Sequence, residues 1–246
     1  MTPASRDPRF PTTHWSLVVR LKSRDGAEAR RAVEEVFTTY RYPLYSYLRR
    51  SGLVHEDAED VLQGFFEKML RNDSLGDADR ERGRLRTFLL TALSRFKLNW
   101  HRSEQRRQQR VQTESHLWDA DEARWQQERY ATDQSPERDF DRQWAIELIT
   151  TVRQQLRQRY ERRGRLAIHD ALSPFIGGSA GAAHPGNPTL GEKAIELGIT
   201  DNAVRMALHR LRSDFRDLLL KEVSRTLDEG GDAREELRHL IGLFEG

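Results

Sequence analysis

Cysteine is missing from all 246 residues, and that absence removes disulfides, thiolate zinc ligands and a cysteine nucleophile together. Long apolar runs are missing too. None approaches the roughly 18 residues that a membrane-spanning helix needs, and the opening stretch "MTPASRDPRFPTTHW" lacks the apolar centre of a secretion signal. These absences predict a cytoplasmic protein that does not enter a membrane, and a reducing compartment suits a chain without thiols. A large excess of one charge is also lacking. The formal net charge is +2 although 33% of residues are charged, so any nucleic-acid footprint has to come from the patterning of cations rather than from their total. With 37% hydrophobic residues over this length, two small, well-solvated domains fit better than one large core.

Signs of catalysis are equally scarce. "GGSAGAAHPG" lacks the Gly-Lys-Ser/Thr end of a phosphate loop and reads as a flexible connection. "DADRERG" resembles the start of a calcium loop, but Arg82 stands where the loop needs glycine and Phe88 where it needs the bidentate glutamate. The histidines are scattered without ligand spacing. The expectation is a non-enzyme with no metal and no cofactor.

What the chain does contain is helical periodicity almost throughout. Ala32, Val33, Val36, Phe37 and Tyr40 form one stripe, which Pro43 is expected to break or restart. In "HEDAEDVLQGFFEKML", Val61, Leu62, Phe65, Phe66, Met69 and Leu70 make an apolar face opposite Asp57, Asp60, Gln63, Gly64 and Glu67. "RNDSLGDADRERGR" carries turn formers without a period and reads as a loop. A helix then resumes with Phe88, Leu89, Ala92, Leu93 and Phe96 inward, inside a basic row from Arg82 to Arg110 whose only acidic residue is Glu104. Residues 13–107 are therefore expected to be a first helical domain.

Residues 108–134 are polar and mixed in charge. Trp118, Trp125 and Tyr130 have no supporting period there, so the segment reads as a flexible linker, part of it open to transient helix, whose aromatics rest on a partner. A second domain over 135–224 opens at Ser135, Pro136 and Glu137, a helix start followed by the stripe Trp144, Leu148, Ile149, Val152 and Leu156. The tail, 225–246, offers a short amphipathic helix through Leu237, Leu240, Ile241 and Phe244; it reads as packing or as a regulatory dock, with packing slightly favoured.

The stretch "TLGEKAIELGITDNAVRMALHRLRSDFRDLL" has the pattern of a helix-turn-helix. Ala194 supplies the small residue where two helices cross, Gly198 the residue that tolerates positive φ, and Val204 the apolar side chain facing back. Thr200 sits at an N-cap position with Asp201 in the first turn. Val204, Ala207, Leu208, Leu211 and Phe215 should be buried, leaving Asn202, Arg205, Met206, His209, Arg210 and Arg212 outward. Arginine and asparagine are the side chains that pair with guanine and adenine edges in the major groove. The plainer reading is a helical hairpin with a solvated basic face.

Taken in order, "DAEDVLQGFFEKML", a loop, "RTFLLTALSRFKLNWHR" and later "KAIELGITDNAVRMALHRLRSDFRDLL" resemble regions 2 and 4 of an RNA polymerase sigma factor of the sigma-70-like family. With no third domain between them, the chain resembles the extracytoplasmic-function group. "THWSLV", "RGRLRTFLLTAL", "SPERDFDRQWA" and "REELRHLI" bring it nearer to a subset of that group, while the connection from Arg162 to Pro188 is longer than most members have. The resemblance implies an all-α chain of two small helical domains joined by a flexible linker. It also implies the partners: core RNA polymerase, through its β′ coiled coil and β flap, promoter DNA, and an anti-sigma or other regulator as a further candidate.

The same resemblance distributes the candidate residues. Asp57, Asp60, Gln63, Gly64 and Glu67 would dock on the β′ coiled coil, the glycine letting the partner approach. The loop from Asp73 to Arg86 would capture a flipped base of the minus-ten element. Arg84, Arg86, Lys97, Asn99, Trp100, His101 and Arg102 would lie along the melted strand, a mix of charge and aromatic surface suited to single strands, although Trp100 fits a core equally well. Asn202, Arg205, Met206, His209, Arg210 and Arg212 would read the minus-thirty-five element. A linker of this length reaches at most on the order of 90 Å at ~3.3 Å per residue, enough for promoter elements more than one duplex turn of roughly 34 Å apart. Two other readings compete: a self-sufficient helix-turn-helix repressor or activator, and a helical adaptor with no role on DNA.

Overall fold

The computed structural model describes residues 25–71, 84–104, 116–128, 135–177, 188–227 and 231–244. Every regular element among them is helical, as the periodicity predicts: α1 (Gly26–Arg50), α2 (His55–Leu70), α3 (Leu85–Glu104), α4 (His116–Glu128), α5 (Pro136–Arg162), α6 (Leu166–Leu172) with a 3-10 turn (Ser173–Phe175), α7 (Leu190–Leu197), α8 (Asp201–Arg225) and α9 (Ala233–Gly242). Among the described residues no helix is long and apolar enough to cross a membrane. The chain divides into two compact units, one of residues 1–146 with 223–246, the other of residues 147–222. These boundaries differ from the sequence expectation: 135–146 and the tail belong with the first unit.

Unit 1 is built around α1. Asp25 caps it by accepting from the Ala27 N–H at 2.9 Å, and the stripe from Ala32 through Val36 to Tyr40 is buried. From Tyr42 to Leu48 every residue is buried, the signature of a helix covered on all sides. Pro43 lies in this stretch, and the helix does not break there. The proline withholds one N–H from the ladder, but its surroundings are packed tightly enough to hold the helical path. Against one side of α1 packs α2, with Phe37 and Phe66 edge to face at 4.9 Å, and Phe65 meets Phe96 of α3 at 6.0 Å.

The segment expected to be a linker contains α4, which docks on α1. Asp121 pairs with Arg41 at 2.7 Å, and Glu122 pairs with Arg49 and accepts from the Tyr45 hydroxyl at 2.6 Å. The Arg124 guanidinium lies 3.7 Å from the centre of the Tyr42 ring and that of Arg49 lies 4.1 Å from Trp125. Ion pairs and cations on aromatic faces, rather than an apolar stripe, hold this helix.

The beginning of α5 and the tail complete the unit. Ser135 accepts from the Arg138 N–H at 3.3 Å, as its place before Pro136 predicts; Phe140 and Trp144 are fully buried, and the Ser46 hydroxyl donates to Asp139 at 2.5 Å. Helix α9 is capped by Asp232, which accepts from the Arg234 N–H at 2.8 Å. Its inward face is Glu236, Leu240 and Leu243, whereas Ile241 and Phe244, expected inside, are exposed. The inward face is turned by one position because a buried ion pair recruits Glu236.

Unit 2 has a small aliphatic core. Leu156 and Tyr160 of α5, Leu172 of α6, Ala194 of α7 and Val204, Leu208 and Leu211 of α8 form one buried cluster, with Ile168, Phe175 and Phe215 packed against it.

Candidate nucleic-acid interface and partner face

In unit 2 the turn between α7 and α8 is built from its sequence outward. Thr189 and Glu192 form a reciprocal capping box: the Glu192 N–H donates to Thr189 Oγ1 at 3.2 Å and the Thr189 N–H to Glu192 Oε2 at 2.7 Å. At the other end Gly198 takes φ 64° and ψ 31°, the left-handed conformation that closes a helix and that a side chain would strain. The Ile199 N–H then reaches back to the Ala194 carbonyl at 3.0 Å. Thr200 caps α8 by accepting from the Ala203 N–H at 3.2 Å. Ala194 and Val204 are both buried in one cluster, as their pattern predicts.

Asn202, Arg205, Met206, His209 and Arg210 are exposed on α8. Arg212 is not part of that face. Its Nε and Nη2 donate to the Phe175 carbonyl at 3.2 and 2.8 Å, so it ties α8 to the 3-10 turn after α6. The sequence shows an arginine at outward spacing, but the carbonyl it satisfies lies far along the chain. Conversely, Arg216 is also exposed on α8, and its place two turns beyond His209 is the sequence signal that finds it. Behind this face, Asp214 accepts from the Tyr160 hydroxyl at 3.1 Å and pairs with Arg159 at 3.1 Å and Arg163 at 3.4 Å. Burial first, and then the Asp214 charge, push the Tyr160 phenol above its ordinary range.

In unit 1, Asp60, Gln63 and Glu67 are exposed on α2 and Asp57 is half-buried. The Gln63 amide donates to Glu67 at 3.2 Å, and Glu67 lies 3.9 Å from Arg71. Gly64 has a reason inside the fold: a Cβ there would stand 3.1 Å from Phe96 Cζ, so the missing side chain lets α3 approach α2.

The basic set at α3 separates into different fates. Arg86 is a core residue, 1% exposed. Its Nε pairs with Asp141 Oδ1 at 2.7 Å, its Nη1 with Glu236, and its guanidinium lies 4.7 Å from the centre of the Trp144 ring. It therefore cannot face a melted strand, and its positive charge is spent on packing. Arg84 pairs with Glu236 at 2.7 Å while keeping 38% exposure. Lys97 is half-buried, its Nζ 5.5 Å from the Tyr47 ring; Asn99 is exposed and Trp100 half-buried. His101 and Arg102 fall within α3, but their side chains lie outside the described residues, as do 72–83 of the preceding loop. The residues missed by sequence reasoning are Asp141, Trp144 and Glu236 as partners of Arg86; no local pattern links them.

Compared with known proteins, the chain matches no family model, no curated protein and no solved structure.

Proposed function

We propose that this chain is an RNA polymerase sigma factor of the extracytoplasmic-function type, which binds core polymerase and directs promoter recognition, strand opening and the start of transcription. The observation that carries the reading is the helix-turn-helix of α7 and α8. Its capped, glycine-closed turn leaves Asn202, Arg205, Met206, His209 and Arg210 exposed on the second helix, and those side chains suit guanine, adenine and thymine-methyl edges in duplex DNA. The acidic Asp60, Gln63 and Glu67 surface of α2 supports the polymerase half of the reading, and Lys97, Asn99 and Trp100 on α3 support contact with an opened strand. Catalysis belongs to the polymerase, and the chain contributes address and grip.

Run-off transcription with core polymerase on genomic fragments tests this directly. Discrete start sites are expected only when the chain is added. Asp60→Lys with Glu67→Lys should abolish association with core polymerase in a pull-down while leaving the circular dichroism melt within about 0.5 kcal/mol of the parent, as for exposed substitutions generally. Arg205→Ala or Arg210→Ala should weaken use of promoters that need the upstream element by roughly 1–3 kcal/mol per lost base contact. Tight sequence-specific duplex binding by the chain alone, indifferent to polymerase, would identify a self-sufficient regulator instead.

A further inference from the structure

Two guanidinium groups at the start of α3 are balanced by two carboxylates from elsewhere in unit 1. Arg86 pairs with Asp141 of α5 and Glu236 of α9, and Arg84 lies 2.7 Å from Glu236. The segment leading to α9 adds one backbone contact, the Leu85 N–H donating to the Thr226 carbonyl at 3.2 Å. Glu236 is 1% exposed and Arg84 38%, so the carboxylate comes from inside and the arginine still opens to solvent.

We propose that α9 is a built-in competitor for a nucleic-acid phosphate at Arg84. In the closed form Glu236 occupies that guanidinium. An arriving phosphate, also an anion with oxygens at matching geometry, takes Arg84 over, and Glu236 gives it up as α9 loosens. Three features make the exchange feasible. Arg86 keeps Asp141 and the Trp144 face when Glu236 withdraws, so its guanidinium is not left without an anion. The cluster is incompletely satisfied: Arg86 Nη2 is buried without a hydrogen-bond partner among the described residues, and Glu236 Oε2 faces Arg84 without hydrogen-bond geometry, an arrangement less tightly closed than a fully bonded network. Helix α9 itself is only 10 residues long, too short to persist alone, and exposes Ile241 and Phe244. The inference rests on the nucleic-acid reading above.

The test is binding of the full chain to a labelled single-stranded oligonucleotide, followed by fluorescence anisotropy over a range of salt, with and without core polymerase. Glu236→Gln should bind roughly fivefold tighter at low salt, with the slope of log affinity against log salt steeper by about 0.7, the value for one further phosphate contact on a single strand. Adding Arg84→Ala should erase the gain, and Glu236→Asp, which keeps the charge, should behave as the parent. The parent chain gives a second reading that needs no variant: saturating oligonucleotide should speed hydrogen exchange in 233–242. Parental affinity and slope in Glu236→Gln, a gain that persists without Arg84, or unchanged exchange in α9 despite binding, each overturns the competitor while leaving the nucleic-acid reading intact. Failure of every form to bind the oligonucleotide, polymerase present or absent, overturns that reading and the competitor with it.

Discussion

Among the described residues, unit 1 buries Ser46, Arg86, Asp121, Asp139, Gln143, Arg225, Thr226 and Glu236, whereas the buried polar side chains of unit 2 are His169 and Glu222 around an aliphatic cluster. The first unit closes its core with charge, and the second closes with Leu, Val and Ala and leaves much of its charge outside. A cation in unit 1 is therefore poor evidence of a ligand until its partners are known, as Arg86 demonstrates. An exposed cation on α8 is better evidence, since the fold there is complete without it; Arg212 is the exception, and it is half-buried. The contrast also predicts how each unit fails: one when a charge loses its partner, the other when the backbone of its turn is strained.

Arg86→Ala should have the largest effect. It leaves Glu236 buried without its main partner and strips the Trp144 face, a loss of about 3–5 kcal/mol for breaking a buried pair. Chemical denaturation should show the loss in unit 1 while hydrogen exchange in 190–222 keeps its protection; equal loss in both segments would contradict the contrast. Next comes Gly198→Ala. Forcing a Cβ into the left-handed region costs about 1–2 kcal/mol, and exchange should accelerate in α7 and the start of α8, with unit 1 unmoved.

The smallest effect concerns α4 and pH. Burial works to raise the Glu122 carboxyl, but hydrogen bonds from Tyr45 and Gln126 and the Arg49 charge prevail and hold it below its ordinary range. The stabilisation is then present above about pH 4.3, the usual glutamate value, and is lost as pH falls through the lowered one. Tyr45 has the opposite sign. Burial, then the Glu122 hydrogen bond, push its phenol far upward, so that contribution is whole below about pH 10 and fades as pH rises beyond it. Exchange in 116–128 should accelerate at both extremes, and a flat profile would show that the Arg124 and Trp125 ring contacts alone seat the helix.

How far the sequence could be read differs between the units for the same reason. The bounds of α2, the turn at Gly198 and the cap at Thr200 are local devices, each visible within a few residues, and the structure contains all of them. Pro43 misleads because local propensity argues for a break while burial on every side keeps the helix. Helix α4 is invisible to periodicity since ion pairs and ring faces, not a stripe, attach it. Gly64 looks like an opening for a visitor, and its packing against Phe96, on the next helix, is not legible locally. Arg86 and Glu236 are 150 residues apart, and a charge read alone cannot announce its counterpart at that distance.

That separation has a consequence for the order in which the protein is made. Residues 147–222 form a contiguous stretch, so unit 2 has all its parts as soon as that stretch leaves the ribosome. Unit 1 begins earlier but waits for Thr226, Glu236, Leu240 and Leu243, which follow unit 2 in the chain. Until then Arg86 lacks one of its two anions and Leu85 its backbone acceptor, so unit 1 closes only after unit 2 has been made.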